Sequence, residues 1–260
     1  VTSTTTIYTD RTAWYEAGRP SYPPEVVDVL MELSSTVASG VVADVGAGSG
    51  AFSKVLLDRG LAVVAVEPNG AMRSAASALL ASYATAAVVA AQAEHLSLRT
   101  CSVDAVTVAQ ALHWFDLDAA RREISRVLRP SGAFLAVWNE RERSGTEFSD
   151  AFERLLVTAL PAYALRVVSD PDPVAMVQEL LSHRSVIVRR FRHRQRLDER
   201  GLLGRVFSNS YAPASGDPLV AVVGSAVRRI FAEHQVAGAV ELDYEAIVVA
   251  GSFDRAVRQS

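Results

Sequence analysis

The sequence predicts an α/β protein built on a doubly wound, Rossmann-like parallel sheet, and three observations carry that reading. Five short apolar runs lie at Val41 to Val45, Leu61 to Val66, Ala86 to Ala91, Ala105 to Ala109 and Ala133 to Trp138. They lack the alternation of a half-exposed strand, as strands buried on both faces do. Stretches long enough for crossover helices separate them, at Phe52 to Arg59, Ala71 to Ser82 and Asp118 to Arg129. The composition is that of a folded globular chain: 260 residues, 50% hydrophobic and 21% charged.

Taken in order, residues 1–40 are mostly helix-compatible and read as an N-terminal helical cap. The first strand runs into a glycine loop that opens a helix at Ala51, and Gly60 stops that helix. Pro130-Ser131-Gly132 closes the third helix before the fifth strand. Residues 140–182 hold helical stretches broken by Pro161 and by Pro171-Asp172-Pro173, and they read as a lid. Ser185 to Leu197 and Val240 to Val249 are rich in β-branched residues and supply two last strands, which would pair antiparallel if adjacent. The expectation is one domain over 1–260, with a cap at 1–40, a cofactor-binding core at 41–140, and lid segments with the last strands at 141–260.

Several function classes are disfavoured at once. Cys101 is the sole cysteine, which excludes an internal disulfide and a zinc site of paired thiolates and fits a reducing cytoplasm. His95, His183, His193 and His234 show no metal-ligand spacing, so no metal is expected. A net charge of −3 and a pI near 6.0 call for neither nucleic acid nor an anionic membrane. No apolar run reaches the ~18 residues of a membrane span. The arginine-rich stretch 184–205 invites an RNA reading. However, Arg190, Arg192, Arg194 and Arg196 share one face of a strand whose other face carries Ile187, Phe191 and Leu197, the pattern of a solvated edge.

The chemistry begins at Asp44-Val45-Gly46-Ala47-Gly48-Ser49-Gly50. Glycines between a strand and a helix let the chain turn sharply and let a ligand approach the backbone. A dinucleotide fingerprint is G-x-G-x-x-G, whereas here the third glycine comes one residue early. Asp44 fits poorly beside a diphosphate but suits a cofactor with a cationic amino group or sulfonium, which points to S-adenosyl-L-methionine (SAM). A nicotinamide or flavin cofactor, or a turn that binds nothing, stays open on the loop alone. Glu67, ending the second strand, can accept hydrogen bonds from a ribose diol under either cofactor. Pro68 turns the chain, Met72 either covers an adenine face or packs its helix, and Gln92-Ala93-Glu94 offers groups to an adenine edge.

The ordered set of Val42-Ala43-Asp44 with its glycine loop, Glu67, Gln92-Ala93-Glu94, Gln110 and Arg126-Val127-Leu128-Arg129-Pro130-Ser131-Gly132 resembles class I SAM-dependent methyltransferases. Arg19-Pro20-Ser21-Tyr22-Pro23 and Ala111-Leu112-His113-Trp114-Phe115-Asp116 resemble the small-molecule branch that includes trans-aconitate carboxyl methyltransferases. The resemblance implies a seven-stranded sheet in the order 3-2-1-4-5-7-6 with a helical lid over the acceptor. It also implies that the segment carrying Tyr15, Arg19 and Tyr22 folds over the cofactor, and it suggests secondary metabolism as a setting. Ser131 departs from the family, which usually has glycine there, in a turn remote from the cofactor.

Methyl transfer from a sulfonium is an in-line displacement that asks a protein chiefly for alignment and exclusion of water. A carboxylate acceptor is already ionised at pH 7, whereas a hydroxyl, amine or acidic carbon needs a base. His113 is the candidate base, with hydrogen bonding to acceptor or cofactor and a purely structural role as its alternatives. Trp114 and Phe115 wall an acceptor pocket or pack a helix start, and Tyr22 stands with them as an acceptor contact. Arg19 pairs with a carboxylate of cofactor or acceptor, or is a surface residue. A small-molecule acceptor is the expected partner. A SAM-binding regulatory or partner protein and an RNA methyltransferase are the rival functions, and the sequence assigns no oligomeric state.

Overall fold

The apolar runs become strands because each of their faces has a layer to pack on. A computed structural model describes Trp14, residues 18–169 and residues 171–253, with the backbone alone for 166–169. In chain order the elements are α1 (Glu25–Leu33), β1 (Val41–Val45), α2 (Ala51–Asp58), β2 (Ala62–Val66), α3 (Gly70–Leu80), β3 (Ala86–Val89), β4 (Val103–Ala109), α4 (Leu117–Val127) and β5 (Leu128–Arg141). They continue with α5 (Glu147–Ala159), α6 (Pro161–Ser169), α7 (Pro173–Leu180), β6 (Ile187–Leu197), α8 (Glu199–Phe207), α9 (Pro218–His234) and β7 (Val240–Ser252).

The strands form one sheet in the order β3-β2-β1-β4-β5-β7-β6, as the family resemblance implied. β1 pairs in parallel with β2 in the register Val41 to Ala62 and with β4 in the register Val42 to Ala105. β2–β3 and β4–β5 are parallel as well. Side chains alternate between two apolar clusters, as a period of two requires. Ala43, Val45, Val106, Val108, Phe134 and Ala136 meet Ile124 and Val127 of α4 and Val177 and Leu180 of α7. Val42, Val63, Ala65, Ala105, Leu135 and Val137 meet Val26 and Leu30 of α1 and Phe52 and Leu56 of α2. Each fully buried Leu or Phe in these layers contributes about 1.5–3 kcal/mol.

The chain divides into two compact units. One comprises Tyr22–Asn139, Pro171–Phe191 and Ala246–Ser260 and contains both clusters just described. The other comprises Val1–Ser21, Glu140–Asp170 and Arg192–Glu245. It has its own core, with Phe148, Phe152 and Leu156 of α5, Leu202 and Val206 of α8, and Val223 and Val227 of α9. These units are built from interleaved stretches, whereas the sequence reading drew consecutive segments.

β5 begins at Leu128, earlier than the predicted Ala133, so Pro130-Ser131-Gly132 lies inside the strand range and not in a separate turn. Ser131 there has φ 65°, a left-handed conformation that explains why glycine is the usual residue. The lid region forms three helices, because Thr146 and Asp172 cap α5 and α7 and Pro161 starts α6. α8 and α9 were not predicted, although Asp217-Pro218 is a cap followed by proline at the first helical position. On β6, Arg190, Arg192, Arg194 and Arg196 are all exposed. Arg194 pairs with Asp243 and Glu241, at 2.6 and 2.8 Å.

Candidate cofactor and active site

The site grows from the point where the chain leaves β1. The connections from β1 lead to β2 and β3 on one side, while β4 takes the place on the other, so a crevice opens at the carboxyl ends of β1 and β4. The loop that fills it needs a left-handed backbone at three places, Gly46 (φ 73°), Gly48 (φ 58°) and Gly50 (φ 85°), and glycine stands at each. At Gly46 space is limiting too, since an added Cβ would lie 2.6 Å from Ala111 Cβ. The amides of Gly46 and Ala47 donate to Val66 O, at 2.9 and 3.1 Å, and bind the loop to the end of β2.

One carboxylate holds this loop and another lies on the strand that leads into it. Asp44, on the strand, is fully buried, and Ser53 Oγ donates to its Oδ2 at 2.6 Å and Thr107 Oγ1 to its Oδ1 at 3.0 Å. Burial pushes its acidity constant up to about 6, against the opposing effect of the two hydroxyls, and the nearby Glu67 charge raises it further. Glu67 is also buried, with Oε2 accepting from Gly48 N–H and Oε1 from Asn69 N–H, both at 2.8 Å. Its pKa is raised by burial, with both amides acting in the opposite direction. Asn69 then caps α3 by accepting from Met72 N–H at 3.0 Å, and Arg73 Nη1 donates to the carbonyls of Glu67 and Pro68, at 3.0 and 3.1 Å.

On the β4 side Gln110 has φ 57°, an uncommon conformation for a residue with a side chain. Its amide N–H donates to Val137 O at 3.0 Å and its Nε2 to Asn139 O at 3.2 Å, which fix the turn out of β4. Residues Leu112–Trp114 then make one 3-10 turn. The rings of His113 and Trp114 lie 4.8 Å apart, His113 half-buried and Trp114 exposed. Phe115 is instead turned toward the loop, with Cζ 3.4 Å from where a Gly46 Cβ would stand. Asp116 caps α4, and its own N–H donates to Glu94 Oε1 at 2.9 Å, clipping the Gln92-Ala93-Glu94 turn to the start of that helix.

Hydrogen bonds thus tie Gly46, Ala47 and Gly48 to the end of β2 at Val66 and Glu67, and Arg73 braces the carbonyls of Glu67 and Pro68, while Asp44 bonds separately to Ser53 and Thr107. Asp44, expected to suit a cationic cofactor, is fully buried and accepts a hydroxyl hydrogen bond on each oxygen. Met72 and Ala93 are buried and Gln92 is exposed. Tyr22 packs edge-on against Phe52 of α2, ring centres 5.0 Å apart. Arg19 belongs to the other unit, where its Nη2 donates to Ser208 O at 3.3 Å. Tyr15 lies outside the described residues. Ser53, Thr107, Asn69 and Arg73 escaped the sequence reading. Of these only Asn69 carried a signal, as a cap before a helix start. No cluster of metal-ligating side chains occurs among the described residues.

Residues 43–136 match the family described as a methyltransferase domain. An uncharacterized methyltransferase of Mycobacterium tuberculosis is 47% identical over 128 residues, which are 49% of this chain and 50% of that protein. A Saccharomyces cerevisiae protein described as a probable S-adenosylmethionine-dependent methyltransferase is 31% identical over 143 residues, 54% of this chain and 48% of that one. The chain therefore spans about half the length of the curated relatives it matches. A solved structure from Anaeromyxobacter dehalogenans, provisionally described as a type II methyltransferase, is 26% identical with a TM-score of 0.65, covering 91% of this chain and 98% of that one. The resemblance to a methyltransferase domain thus covers residues 43–136, the stretch that carries the glycine loop, Glu67 and Gln110.

Proposed function

We propose that the protein transfers a methyl group from SAM to a small organic acceptor, a carboxylate, hydroxyl or activated carbon, in the cytoplasm. Secondary metabolism is a setting that agrees with the small-molecule resemblance. The observation that carries the reading is the bond from Gly48 N–H to Glu67, which links the glycine loop to the end of the neighbouring strand. A carboxylate offers about four lone-pair sites, and the amides of Gly48 and Asn69 use two, so Glu67 can still accept both hydroxyls of a ribose. That acceptor capacity fits the ribose diol of an adenosine. The carboxylates of Asp44 and Glu67 also give the crevice a negative field suited to a cationic cofactor.

When bound, SAM supplies a methyl group already activated on a sulfonium. The chain's own residues would position it: the backbone of Gly46, Ala47 and Gly48 along the loop, Glu67 at the ribose, and Pro68, Met72, Gln92, Ala93, Glu94 and Gln110 around the adenosine. Arg19 and Tyr15 are proposed as further cofactor contacts, and Tyr22, Trp114 and His113 as acceptor contacts. His113 takes the proton where the acceptor is a hydroxyl or acidic carbon and serves only to orient a carboxylate. The single cysteine supports a reducing compartment, and no described helix is long and apolar enough to cross a membrane.

Calorimetric titration tests this directly, with one equivalent of SAM and of its demethylated product expected to bind. Binding of NADH without SAM would overturn the reading. Glu67→Ala should lose charge-assisted bonds worth about 1.5–3 kcal/mol, roughly tenfold to 150-fold in SAM affinity. A change under about threefold would remove Glu67 from the ribose.

A further inference from the structure

Within the unit formed by 1–21, 140–170 and 192–245, Arg19 donates to Ser208 O, and the guanidinium groups of Arg141 and Arg205 are placed very differently from one another. Arg141 is almost fully buried and pairs with Glu153, which also accepts from Tyr163 OH at 2.7 Å. That charge is neutralised on the spot. Arg205, on α8, is half-buried and has no carboxylate partner among the described residues. Its Nε–H donates to Tyr244 OH at 2.8 Å and its Nη1 to Asn209 Oδ1 at 3.1 Å. A guanidinium presents five N–H donors in a planar fork, so three of Arg205's find no acceptor among the described residues.

The two acceptors that hold the fork are themselves fixed. Tyr244 is 1% exposed and its hydroxyl donates to Gln195 Oε1 at 3.2 Å, and Gln195 Nε2 donates to Gly18 O at 3.3 Å. Asn209 is buried and donates back to the carbonyls of Arg205 and Val206. One turn along the same helical row, the hydroxyl of Ser208 is fully buried and has no hydrogen-bond partner among the described residues. A fixed cation and a buried unused hydroxyl, both in a core that includes Val206 and Phe207, are the complement of a small anion with an apolar body.

We propose that this unit holds a monocarboxylate-binding site centred on Arg205, the guanidinium fork taking both oxygens side by side, with Ser208 as an auxiliary donor. The planar fork of Arg205 takes one carboxylate side by side, and the apolar side chains around it suit a ligand with an apolar body.

The full chain is titrated with benzoate by calorimetry and by NMR, with SAM titrated in parallel. Saturable benzoate binding is expected. Arg205→Gln should weaken it at least tenfold, and Arg205→Lys, which keeps the charge without the fork, at least threefold. Both variants should bind SAM as the unaltered chain does. Absence of saturable benzoate binding, or wild-type affinity in Arg205→Gln, overturns the site. Should Arg205→Gln fail to fold, wild-type benzoate affinity in Arg205→Lys overturns it equally. Loss of SAM binding with benzoate binding intact counts against the methyltransferase reading and leaves the carboxylate site standing.

Discussion

Replacing Asp44 by Asn removes a buried charge while keeping the shape that holds the glycine loop, because the Ser53 and Thr107 hydroxyls can rotate to bond an amide. Burial raises the Asp44 pKa from its ordinary 3.8 to about 6, so the native state keeps a proton that the unfolded chain has already released. Between those values stability falls as the pH rises, since the native state binds more protons than the unfolded one. Above pH 6 the full penalty is present, about two pH units at 1.36 kcal/mol each, or roughly 3 kcal/mol. Asp44→Asn escapes it. Urea unfolding between pH 4.5 and 7.5 should show the variant more stable than the original chain by up to about 3 kcal/mol at pH 7, with the gap closing as the pH falls. For a chain of this size that is ~6–12 °C in Tm. The same variant should bind SAM more weakly, having lost part of the negative field. Equal stability at pH 7, or a gap that does not change with pH, would refute the assignment of a buried ionised Asp44.

Three other perturbations separate packing from chemistry. Gly46→Ala forces a side chain into a left-handed backbone and against Ala111, and should cost about 2–4 kcal/mol together with SAM binding, both measurable by titration and urea unfolding. His113→Ala should lower turnover by ~10²-fold to 10⁴-fold for a hydroxyl or acidic-carbon acceptor with SAM affinity unchanged, whereas for a carboxylate acceptor it should mainly raise KM. Full turnover with an unaltered pH profile would take His113 out of the mechanism. Glu153→Gln leaves Arg141, 6% exposed, without its carboxylate, and should destabilise by about 3–5 kcal/mol; a loss under 1 kcal/mol would mean that solvent reaches the pair.

The sheet was readable from sequence because its signals are local. β1, β2 and β4 are short runs with no polar interruption on either face except Asp44, Asp104 and Thr107, and Gly60 in a left-handed conformation lies just past the end of α2. The glycine loop was readable for the same reason, as three positions that require glycine within five residues. What could not be read is long-range. Ser53 and Thr107 matter only because folding brings them to Asp44, across 9 and 63 residues of chain. Arg205 resembled any other member of an arginine-rich stretch until its neighbours were known. α8 and α9 were not legible because what buries them, Phe148, Phe152 and Leu156 of α5, lies about fifty residues or more away along the chain, although Asp217-Pro218 marks the start of α9. Asp44 itself shows the limit of motif reasoning, since the motif locates the carboxylate but not which way it is covered.

The strand order has a consequence for how the chain is made. β7 lies between β5 and β6, yet it is the last strand synthesised, about a hundred residues after β5 ends at Arg141. Until it emerges, β6 has no neighbour and β5 presents one unpaired edge, along a strand whose side chains from Gly132 to Asn139 are all destined for burial. At ~5–20 residues per second that interval lasts roughly 5–20 s, long against the microseconds in which a hairpin closes. The nascent protein therefore spends that time as a half-sheet with a sticky margin, and its yield in a cell depends on what shields β5 before β7 arrives.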